Sequence, residues 1–374
     1  MVSVLPTSSA TGACRATAPS NIALIKYWGK SDASLNWPAN DSLSMTLSRA
    51  HTVTTAQKSQ GVAVQGMAAQ GMAVQGMAAH RIAFGTSSDT AIPARDNGKA
   101  QQYLEWLRTE VRTFGPAEGA LDILTNNSFP SSCGIASSAS GFAALTLAAV
   151  GAWTGAKNMD QLKALGISTA HLSAWARRGS GSACRSIDGG FVRWTRGNSP
   201  EQQSAGTIFC DDHWQLADVI VMIDRSAKKV SSTEGHARTW TSPLMKMRMS
   251  GLSERMKHVL EAIESRDLER LGTLIETEAT EMHAVMMTAI QRTDYFGTPT
   301  IDFISWLRHG RAAGNIEAWF TLDAGANPHL LCHPQHVAHL RKQIIKNFPD
   351  YKILEDQTGG GAKLESLEEK SDGH

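Results

Sequence analysis

The feature that most constrains the fold is a junction rich in serine and glycine at residues 129–141, FPSSCGIASSASG. It follows ALDILTNN, which has the composition of a β-strand, and precedes the alanine-rich FAALTLAAVGAW, which has that of a buried helix. A strand that turns into a helix here leaves unpaired backbone N–H groups at the positive end of the helix dipole. This arrangement favours an anion, most often a phosphate, although an ordinary serine-rich helix N-cap produces the same pattern.

The composition is that of an ordinary globular protein and disfavours several functional classes. The chain has 374 residues, enough for two domains, and a formal net charge of +1, so no overall field favours nucleic acid or a membrane as partner. Its five cysteines are scattered without a CxxC pair, which indicates reduced thiols rather than disulfides or a zinc site. No signal peptide and no stretch of ~20 apolar residues is found. A cytoplasmic protein is predicted.

Strand-like and helix-like segments alternate along the chain, which predicts an α+β protein. A polar stretch that begins at residue 198, NSPEQQSAG, is the best candidate for a domain boundary. We therefore expect an N-terminal domain over 1–196 and a C-terminal domain over 197–374. Residues 60–79 are a pentapeptide repeated four times, a period that fits neither helix nor strand. The repeat is predicted to extend a hairpin loop, with a partner-binding flap as the alternative.

The common nucleotide-binding motifs, among them GxxxxGK[ST] and a complete GxGxxG after a strand, are absent from the chain. A different candidate for an anion site is APSNIALIKYWGKSD at 18–32, which places Lys26, Tyr27 and Lys30 within five residues. Two ammonium groups and a phenol at this spacing, beside the amide of Asn21, suit a multiply charged oxyanion. A solvated edge strand is the plain alternative.

Two further stretches have residues suited to a charged ligand. RRGSGSACRS at 177–186 combines small residues with Arg185, whose planar guanidinium fits a carboxylate or a phosphate. In TLDAGANPH at 321–329, Asp323 follows an apolar strand just before a turn of small residues. A carboxylate there is costly unless it has a partner or a task, although aspartate also initiates turns. Surface turns without function are the alternative for both stretches.

Taken together, these stretches resemble one family. APSNIALIKYWGK, NDSLSMTLS, FPSSCGIASSASGFAAL, GSGSACRSIDGGFVRW, KKVSSTEG and TLDAGANPHLL are similar in content and order to the mevalonate diphosphate decarboxylase family of the GHMP kinase superfamily. The resemblance covers residues from about 16 to 333. It implies a two-domain GHMP-kinase-like fold, with an ATP-phosphate loop at a helix N-terminus and the active site in the cleft between the domains. The implied reaction is the ATP-dependent decarboxylation of (R)-5-diphosphomevalonate to isopentenyl diphosphate in isoprenoid biosynthesis.

The resemblance also implies roles for individual residues. Asp323 would orient the 3-hydroxyl of the substrate, or take its proton, as that oxygen attacks the γ-phosphate of ATP, and Lys26 would stabilise the developing negative charge. Arg185 would hold the substrate carboxylate. The implied substrate-binding residues are Asn21, Tyr27, Trp28, Gly29, Lys30, Lys99, Ser180, Gly181, Ser182, Ala183, Cys184, Arg185 and Thr233. The implied ATP-binding residues are Pro130, Gly134, Ser137, Ser138 and Gly141, with Mg²⁺ near Ser137 and Ser138 and no dedicated protein cage.

Several alternatives stay open at this point. The enzyme could decarboxylate 5-phosphomevalonate instead, or be a mevalonate-type 3-kinase that stops after phosphoryl transfer. A GHMP-fold protein that binds metabolites without turnover is the alternative from another class. Kinase-only relatives are expected to lose part of the pair of Asp323 and Lys26, and both residues are present. Similar enzymes are homodimers, so a homodimer is expected.

Overall fold

The computed structural model describes residues 13–59, 80–84, 92–93, 98–130, 137–197, 199, 203–224 and 230–367. The strands are β1 (Ala13–Ile25), β2 (Lys30–Asp32), β3 (Trp37–Pro38), β4 (Ser42–Lys58), β5 (Arg81–Phe84), β6 (Ile92–Pro93), β7 (Leu121–Asn127), β8 (Phe191–Trp194), β9 (Ala205–Phe209), β10 (Ala217–Met222), β11 (Trp319–Thr321), β12 (His329–Cys332), β13 (Lys352–Gln357) and β14 (Lys363–Leu367). The α-helices are α1 (Gly98–Val111), α2 (Ser137–Thr154), α3 (Met159–Ala164), α4 (Thr169–Gly179), α5 (Ser232–Arg238), α6 (Met245–Ser265), α7 (Leu268–Met287), α8 (Thr298–Ala312) and α9 (Val337–Asn347).

The first half of the chain is built on an eight-stranded sheet whose long centre is the antiparallel pair β1 and β4. The strand order is β14-β1-β4-β7-β5-β6, and β8 pairs with both β4 and β9. Helix α2 packs on β1 and β4. Its residues from Ala143 to Trp153 are all buried, because alanine side chains let the helix lie close to the sheet.

The second half contains a four-stranded antiparallel sheet in the order β11-β12-β10-β13. Helices α6 and α7 pack against each other, and α7 also packs against β11. One buried apolar cluster joins the two halves, with Leu24 from β1, Ile220 from β10 and Leu271 from α7 among its members. Among the described helices, none combines the length and the apolar composition needed to cross a membrane.

Two strands cross the predicted domain boundary. Both β9 and β14 follow residue 197 in sequence, yet they pair with β8 and β1 of the N-terminal sheet. The division into 1–196 and 197–374 stays a prediction. The repeat at 60–79 lies outside the described residues, but the strands on either side of it, β4 and β5, are separated by β7. They therefore do not form the predicted hairpin.

The ends of several elements meet on one side of the molecule. Strand β1 ends directly before Lys26, and β11 ends two residues before Asp323. Helix α2 begins at Ser137, and a 3-10 turn over Gly181–Ser186 follows α4. Three of these ends come from the N-terminal half and one from the C-terminal half, so a site at this place draws on both.

Candidate active site

A cavity of about 500 Å³ lies between the two halves of the molecule. The N-terminal half contributes the end of β1, the starts of α1 and α2, and the turn after α4, and the C-terminal half contributes α5, α7 and the turn after β11. The wall consists of Ala23, Lys26, Tyr27, Trp28, Lys30, Asn36, Lys99, Ser137, Ser138, Ser180, Gly181, Ser182, Arg185, Ser231, Ser232, Thr233, His236, Met282, Asp323 and Ala324.

An ion pair between Lys26 and Asp323 links the two halves at the cavity wall. The Lys26 Nζ atom donates to Asp323 Oδ1 at 2.8 Å and to the carbonyl oxygen of Ala23 at 2.7 Å. The Lys26 side chain is 2% exposed, and burial lowers its pKa, an effect that the charges of Asp323 and Glu278 oppose. A buried ammonium beside a carboxylate is suited to stabilise negative charge that develops on a bound ligand.

Arg185 is a buried cation with no ion-pair partner among the residues described. Its Nη1 donates to Ser42 Oγ at 2.6 Å and its Nη2 lies 3.5 Å from Asn21 Oδ1, whereas its Nε has no hydrogen-bond partner in the described structure. Burial lowers the pKa of the guanidinium. The charge of Asp323 opposes this effect without forming an ion pair with Arg185, so the guanidinium is stabilised only in part, and its place on a cavity wall indicates an anionic ligand.

Lys30 and Lys99 add two further cations to the wall. The Lys30 Nζ donates to Asn36 Oδ1 at 2.7 Å, and the Lys99 Nζ lies 5.2 Å from the centre of the Phe142 ring. Burial lowers the pKa of both ammonium groups, and the charge of Lys99 lowers the pKa of Lys30 further. Both groups would be stabilised by an anion placed between them.

The cavity wall has more basic than acidic side chains. The basic side chains are Lys26, Lys30, Lys99 and Arg185, against the carboxylate of Asp323. Burial, with a smaller effect of the Lys30 charge, lowers the pKa of His236 to about 3, so its ring is neutral near pH 7. Within the described residues, no group of three or more His, Cys, Asp or Glu side chains could hold a metal ion. The wall suits a polyanion, and Mg²⁺ would take most of its ligands from that polyanion and water.

The predicted ATP-binding residues are only partly on the wall. Ser137 and Ser138 begin α2 and line the cavity, as the serine-rich junction predicts. Pro130 and Gly141 do not line it, and Gly134 lies outside the described residues. The start of a helix at the cavity agrees with the expected geometry, whereas the binding of ATP by these residues stays a prediction.

Most of the predicted substrate-binding residues line the cavity, namely Tyr27, Trp28, Lys30, Lys99, Ser180, Gly181, Ser182, Arg185 and Thr233. Asn21, Gly29, Ala183 and Cys184 do not. Asn21 lies behind the wall, where its Nδ2 donates to Ser186 Oγ at 2.8 Å. Cys184 is buried, and burial raises the pKa of its thiol to about 12, which makes it unreactive. A contact of these four residues with the substrate stays a prediction.

Two of the predicted glycines have a structural reason. Gly29 adopts a φ of +91°, a conformation that other residues rarely take, and its N–H donates to His236 Nδ1 at 3.0 Å. A Cβ atom on Gly181 would lie 2.5 Å from the ring of Tyr27. The two glycines therefore set the path of the chain around the aromatic residues of the wall.

Sequence reasoning missed the wall residues of α5 and α7 other than Thr233. The His236 ring packs between the rings of Tyr27 and Trp28, with centroids 4.4 and 4.5 Å away. Ser231 and Met282 line the same side of the cavity. The segment STEGHAR contains no recognised motif for His236, and Met282 is one of several apolar residues at helical spacing. The nearest available signal was the resemblance of KKVSSTEG, which led only to Thr233.

Two protein-family profiles match most of the chain. The match over residues 18–206 is described as a diphosphomevalonate decarboxylase-like N-terminal domain, and that over 218–372 as a mevalonate 5-diphosphate decarboxylase C-terminal domain. The chain is also 32% identical over 362 residues to a diphosphomevalonate decarboxylase of Ganoderma lucidum, which covers 92% of this chain and 84% of the relative.

Solved structures are similar over almost the whole chain. A structure described as MDDEF in complex with MVAPP, AMPPCP and magnesium is 30% identical with a TM-score of 0.80, covering 94% of this chain and 98% of that one. A mevalonate diphosphate decarboxylase from Enterococcus faecalis is 30% identical with a TM-score of 0.78 and the same coverage. These similarities confirm the predicted two-domain α+β fold.

Proposed function

The chain belongs to the diphosphomevalonate decarboxylase family, and from this premise we propose that its cleft converts (R)-5-diphosphomevalonate and ATP to isopentenyl diphosphate, ADP, phosphate and CO₂. The reaction is a step of isoprenoid biosynthesis by the mevalonate pathway. The observation that carries the proposal is the ion pair of Lys26 and Asp323 at 2.8 Å, on the wall of a cavity whose other charged residues are basic. Two polyanionic substrates need such a surface, and phosphoryl transfer to a hydroxyl needs a carboxylate within it.

Asp323 acts on the 3-hydroxyl of the substrate. Its carboxylate accepts a hydrogen bond from that hydroxyl and takes the proton as the oxygen bonds to the γ-phosphorus and ADP leaves. Lys26 stabilises the negative charge on the transferred group. The C3–O bond then breaks and phosphate leaves with its electron pair. The C1–C2 bond breaks next, and its electrons form the C2=C3 double bond as CO₂ departs.

The other cations hold the two ends of the substrate. Arg185 binds the carboxylate that becomes CO₂, which supplies the counter-ion that its buried guanidinium lacks among the described residues. Lys30 and Lys99 bind the phosphates on C5, together with the hydroxyls of Ser180 and Ser182, which are 3.5 Å apart. This places the carboxylate and the phosphates on separate basic groups, with C3 between them.

Ser137 and Ser138 bind the phosphates of ATP at the start of α2. The Ser138 Oγ lies 3.1 Å from Ser180 Oγ, which brings the helix start next to the substrate-binding turn. The similar structure that contains MVAPP, AMPPCP and magnesium supports a ternary complex of this kind. Bound Mg²⁺ would neutralise phosphate charge, with Ser137 and Ser138 as the nearest protein groups and phosphates and water as its other ligands.

The test uses purified full-length protein with Mg-ATP and, in separate reactions, 5-diphosphomevalonate, 5-phosphomevalonate and mevalonate. ADP and CO₂ are measured together. Equal amounts of both from the diphosphate alone are expected. Equal amounts from the monophosphate alone would instead identify a 5-phosphomevalonate decarboxylase, and ADP without CO₂ would identify a 3-kinase. Binding of a substrate without either product would contradict the enzymatic proposal.

We also propose that the protein is a homodimer, on the basis of its resemblance to similar enzymes. Analytical ultracentrifugation of the full chain tests this, and sedimentation as a single chain at micromolar concentration would contradict it. A cytoplasmic location stays a prediction from the sequence.

A further inference from the structure

Helix α7 forms hydrogen bonds to the backbone of both members of the reactive ion pair. Glu278 Oε1 accepts from the backbone N–H of Lys26 at 3.0 Å. His283 Nε2 lies 3.1 Å from the backbone carbonyl oxygen of Asp323 and donates to it. Lys26 follows β1 in the N-terminal half and Asp323 follows β11 in the C-terminal half. A single helix therefore contacts the backbone at both ends of the pair.

Glu278 is itself held rigidly. Its side chain is 0% exposed, Arg248 of α6 donates to Oε1, and Arg255 of α6 donates to Oε2 at 2.6 Å. A carboxylate fixed on both oxygens cannot follow a shift of the chain at Lys26. The backbone at Lys26 is thus held in place by the packed pair of helices α6 and α7 as well as by the end of strand β1.

His283 fixes the other end. It is buried and its ring packs 4.8 Å from the ring of Phe296. The carbonyl oxygen of Asp323 also accepts from the N–H of Gly325 at 2.7 Å, so two donors hold this peptide group. The turn after β11 cannot rotate at Asp323 without losing both hydrogen bonds.

We propose that Glu278 and His283 are positioning residues, through which helix α7 sets the distance and orientation between the Lys26 ammonium and the Asp323 carboxylate. The reaction used to test this is that of the proposed function, on which the inference rests. Displacements of about 1 Å between reacting groups and substrate can cost 10²-fold in rate. The two hydrogen bonds therefore affect the chemical step, in addition to the stability of the fold.

The charge of Glu278 has a second consequence for Lys26. The ionisable groups that face the Lys26 ammonium are Asp323 and Glu278, which raise its pKa, and Arg185, which lowers it. Arg248 and Arg255 lie behind Glu278 and pair with it. Removing the Glu278 charge is therefore expected to lower the pKa of Lys26 further, in addition to weakening the hydrogen bond that holds the Lys26 backbone.

The experiment compares E278Q with E281Q as its matched control. Glu281 lies on the same helix and pairs with the same Arg255 at 2.6 Å, and it is not among the groups that act on Lys26. E278Q is expected to lower kcat roughly 10- to 100-fold, to leave KM for both substrates within about threefold, and to move the alkaline limb of the kcat–pH profile to lower pH. E281Q is expected to change none of these. H283F is expected to lower kcat without moving the alkaline limb, because it removes a hydrogen bond and leaves in place the charges that act on Lys26.

The titration of Lys26, followed by NMR of labelled lysine, provides a readout that does not need turnover. A lower pKa of Lys26 in E278Q but not in E281Q is expected. If the wild type releases no ADP and no CO₂, the proposed function fails, and the Lys26 ammonium resonance in H283F then decides the present inference. H283F leaves in place the charges that act on Lys26, so a changed resonance in H283F but not in E281Q would report a changed geometry of the ion pair. Equal kcat, equal pH profiles and equal Lys26 pKa values in the two variants would overturn it. E278Q could fail to fold because it leaves the Arg248 charge unpaired. In that case the double variant E278Q/R248M, which removes the Arg248 charge as well, is compared with E281Q by the same measurements.

Discussion

The cavity wall and the interface between α6 and α7 behind it contain buried arginines in opposite arrangements. At the interface, Arg248 is 1% exposed and pairs with Glu278, which also pairs with Arg255. On the wall, Arg185 is 2% exposed, and no carboxylate in the described part of the chain forms an ion pair with it. The buried guanidinium of Arg248 thus has a carboxylate partner, whereas that of Arg185, which lines the cavity, has none among the described residues.

The carboxylates of the two regions show the same contrast. Glu278 has both oxygens bound by arginines and is 0% exposed. Asp323 is 23% exposed, lies on the cavity wall and is bonded to Lys26. A saturated carboxylate stabilises a packed interface, whereas one on a cavity wall can accept a proton or a hydrogen bond from a ligand. Substitutions on the wall should therefore act mainly on turnover and substrate affinity, whereas those at the interface should act mainly on stability, with the contact of Glu278 to Lys26 as the exception.

The largest effect is expected from Asp323→Asn. The amide preserves shape but is a far weaker proton acceptor, so kcat should fall about 10²- to 10⁴-fold. The melting temperature should fall, because the buried Lys26 ammonium loses its ion-pair partner, whereas the affinity for a non-hydrolysable ATP analogue should stay close to wild type. Steady-state release of ADP and CO₂, with calorimetry for the analogue, measures these quantities. Wild-type turnover in this variant would remove Asp323 from the chemistry.

Lys26→Arg should lower kcat by about 10- to 100-fold, because the guanidinium is larger and its donors are displaced. It should also change the pH dependence. Burial lowers the pKa of Lys26, so the required ammonium is lost, and kcat falls, as pH rises through a value below the ordinary lysine pKa. The arginine variant should lack this alkaline limb up to pH ~10, since guanidinium stays protonated. If the alkaline limb of the kcat–pH profile were unchanged in the arginine variant, a group other than Lys26 would be responsible for it.

Lys99→Met should raise KM for 5-diphosphomevalonate by about 10-fold with little change in kcat, because a charge-assisted contact to phosphate is lost in both ground state and transition state. Lys99→Arg, which keeps the charge, is the control. Initial rates across a range of substrate concentrations measure the effect. If Lys99→Met had the same KM as the wild type, the phosphate-binding role of Lys99 would be wrong.

The smallest effect is expected from His236→Phe. The ring contacts with Tyr27 and Trp28 would be kept, whereas the acceptor for the Gly29 N–H would be lost, so KM should rise by only about threefold. Because the pKa of His236 is about 3, the shape of the kcat profile between pH 5 and 7 should not change. Loss of an inflection near pH 6 in this variant would show that the imidazole titrates in the active enzyme.

Features set by neighbouring residues could be predicted from the sequence. The apolar segments on either side of AGAN predict a strand pair, which is present as β11 and β12 and places Asp323 just after a strand end. Ser168 before an apolar pattern at helical spacing is typical of a helix start, and it is the N-cap of α4, where its side chain accepts from the backbone N–H of His171. In both cases the pattern and the hydrogen bonds that it predicts lie within a few residues of each other, so local propensity decides the structure.

Features set by distant contacts could not be predicted. Ser242 and Pro243 resemble a helix start, and the Ser242 hydroxyl accepts from the backbone N–H of Leu244 at 3.2 Å, although α6 begins at Met245. The same hydroxyl contacts Thr288 Oγ1 at 2.7 Å, which the sequence does not show. His236 meets Gly29 across 207 residues of sequence, and Glu278 meets Lys26 across 252. Neither the hydrophobic periodicity nor a known motif in the sequence indicates contacts between residues so far apart. The cavity-lining residues that the sequence did predict therefore lie in stretches rich in small and charged residues.

The most direct test of the central claim compares Arg185→Met with Arg248→Met by thermal unfolding and by calorimetry of 5-diphosphomevalonate binding. Arg185→Met should unfold with a free energy equal to or above that of wild type, because it removes an unbalanced buried charge, and should bind the substrate about 10- to 100-fold more weakly. Arg248→Met should lose about 3 kcal/mol of unfolding free energy, because it leaves part of the Glu278 charge unbalanced, and should keep its affinity. Equal destabilisation of both variants with unchanged affinity in Arg185→Met would contradict the claim that the cleft keeps its unpaired charge for the substrate.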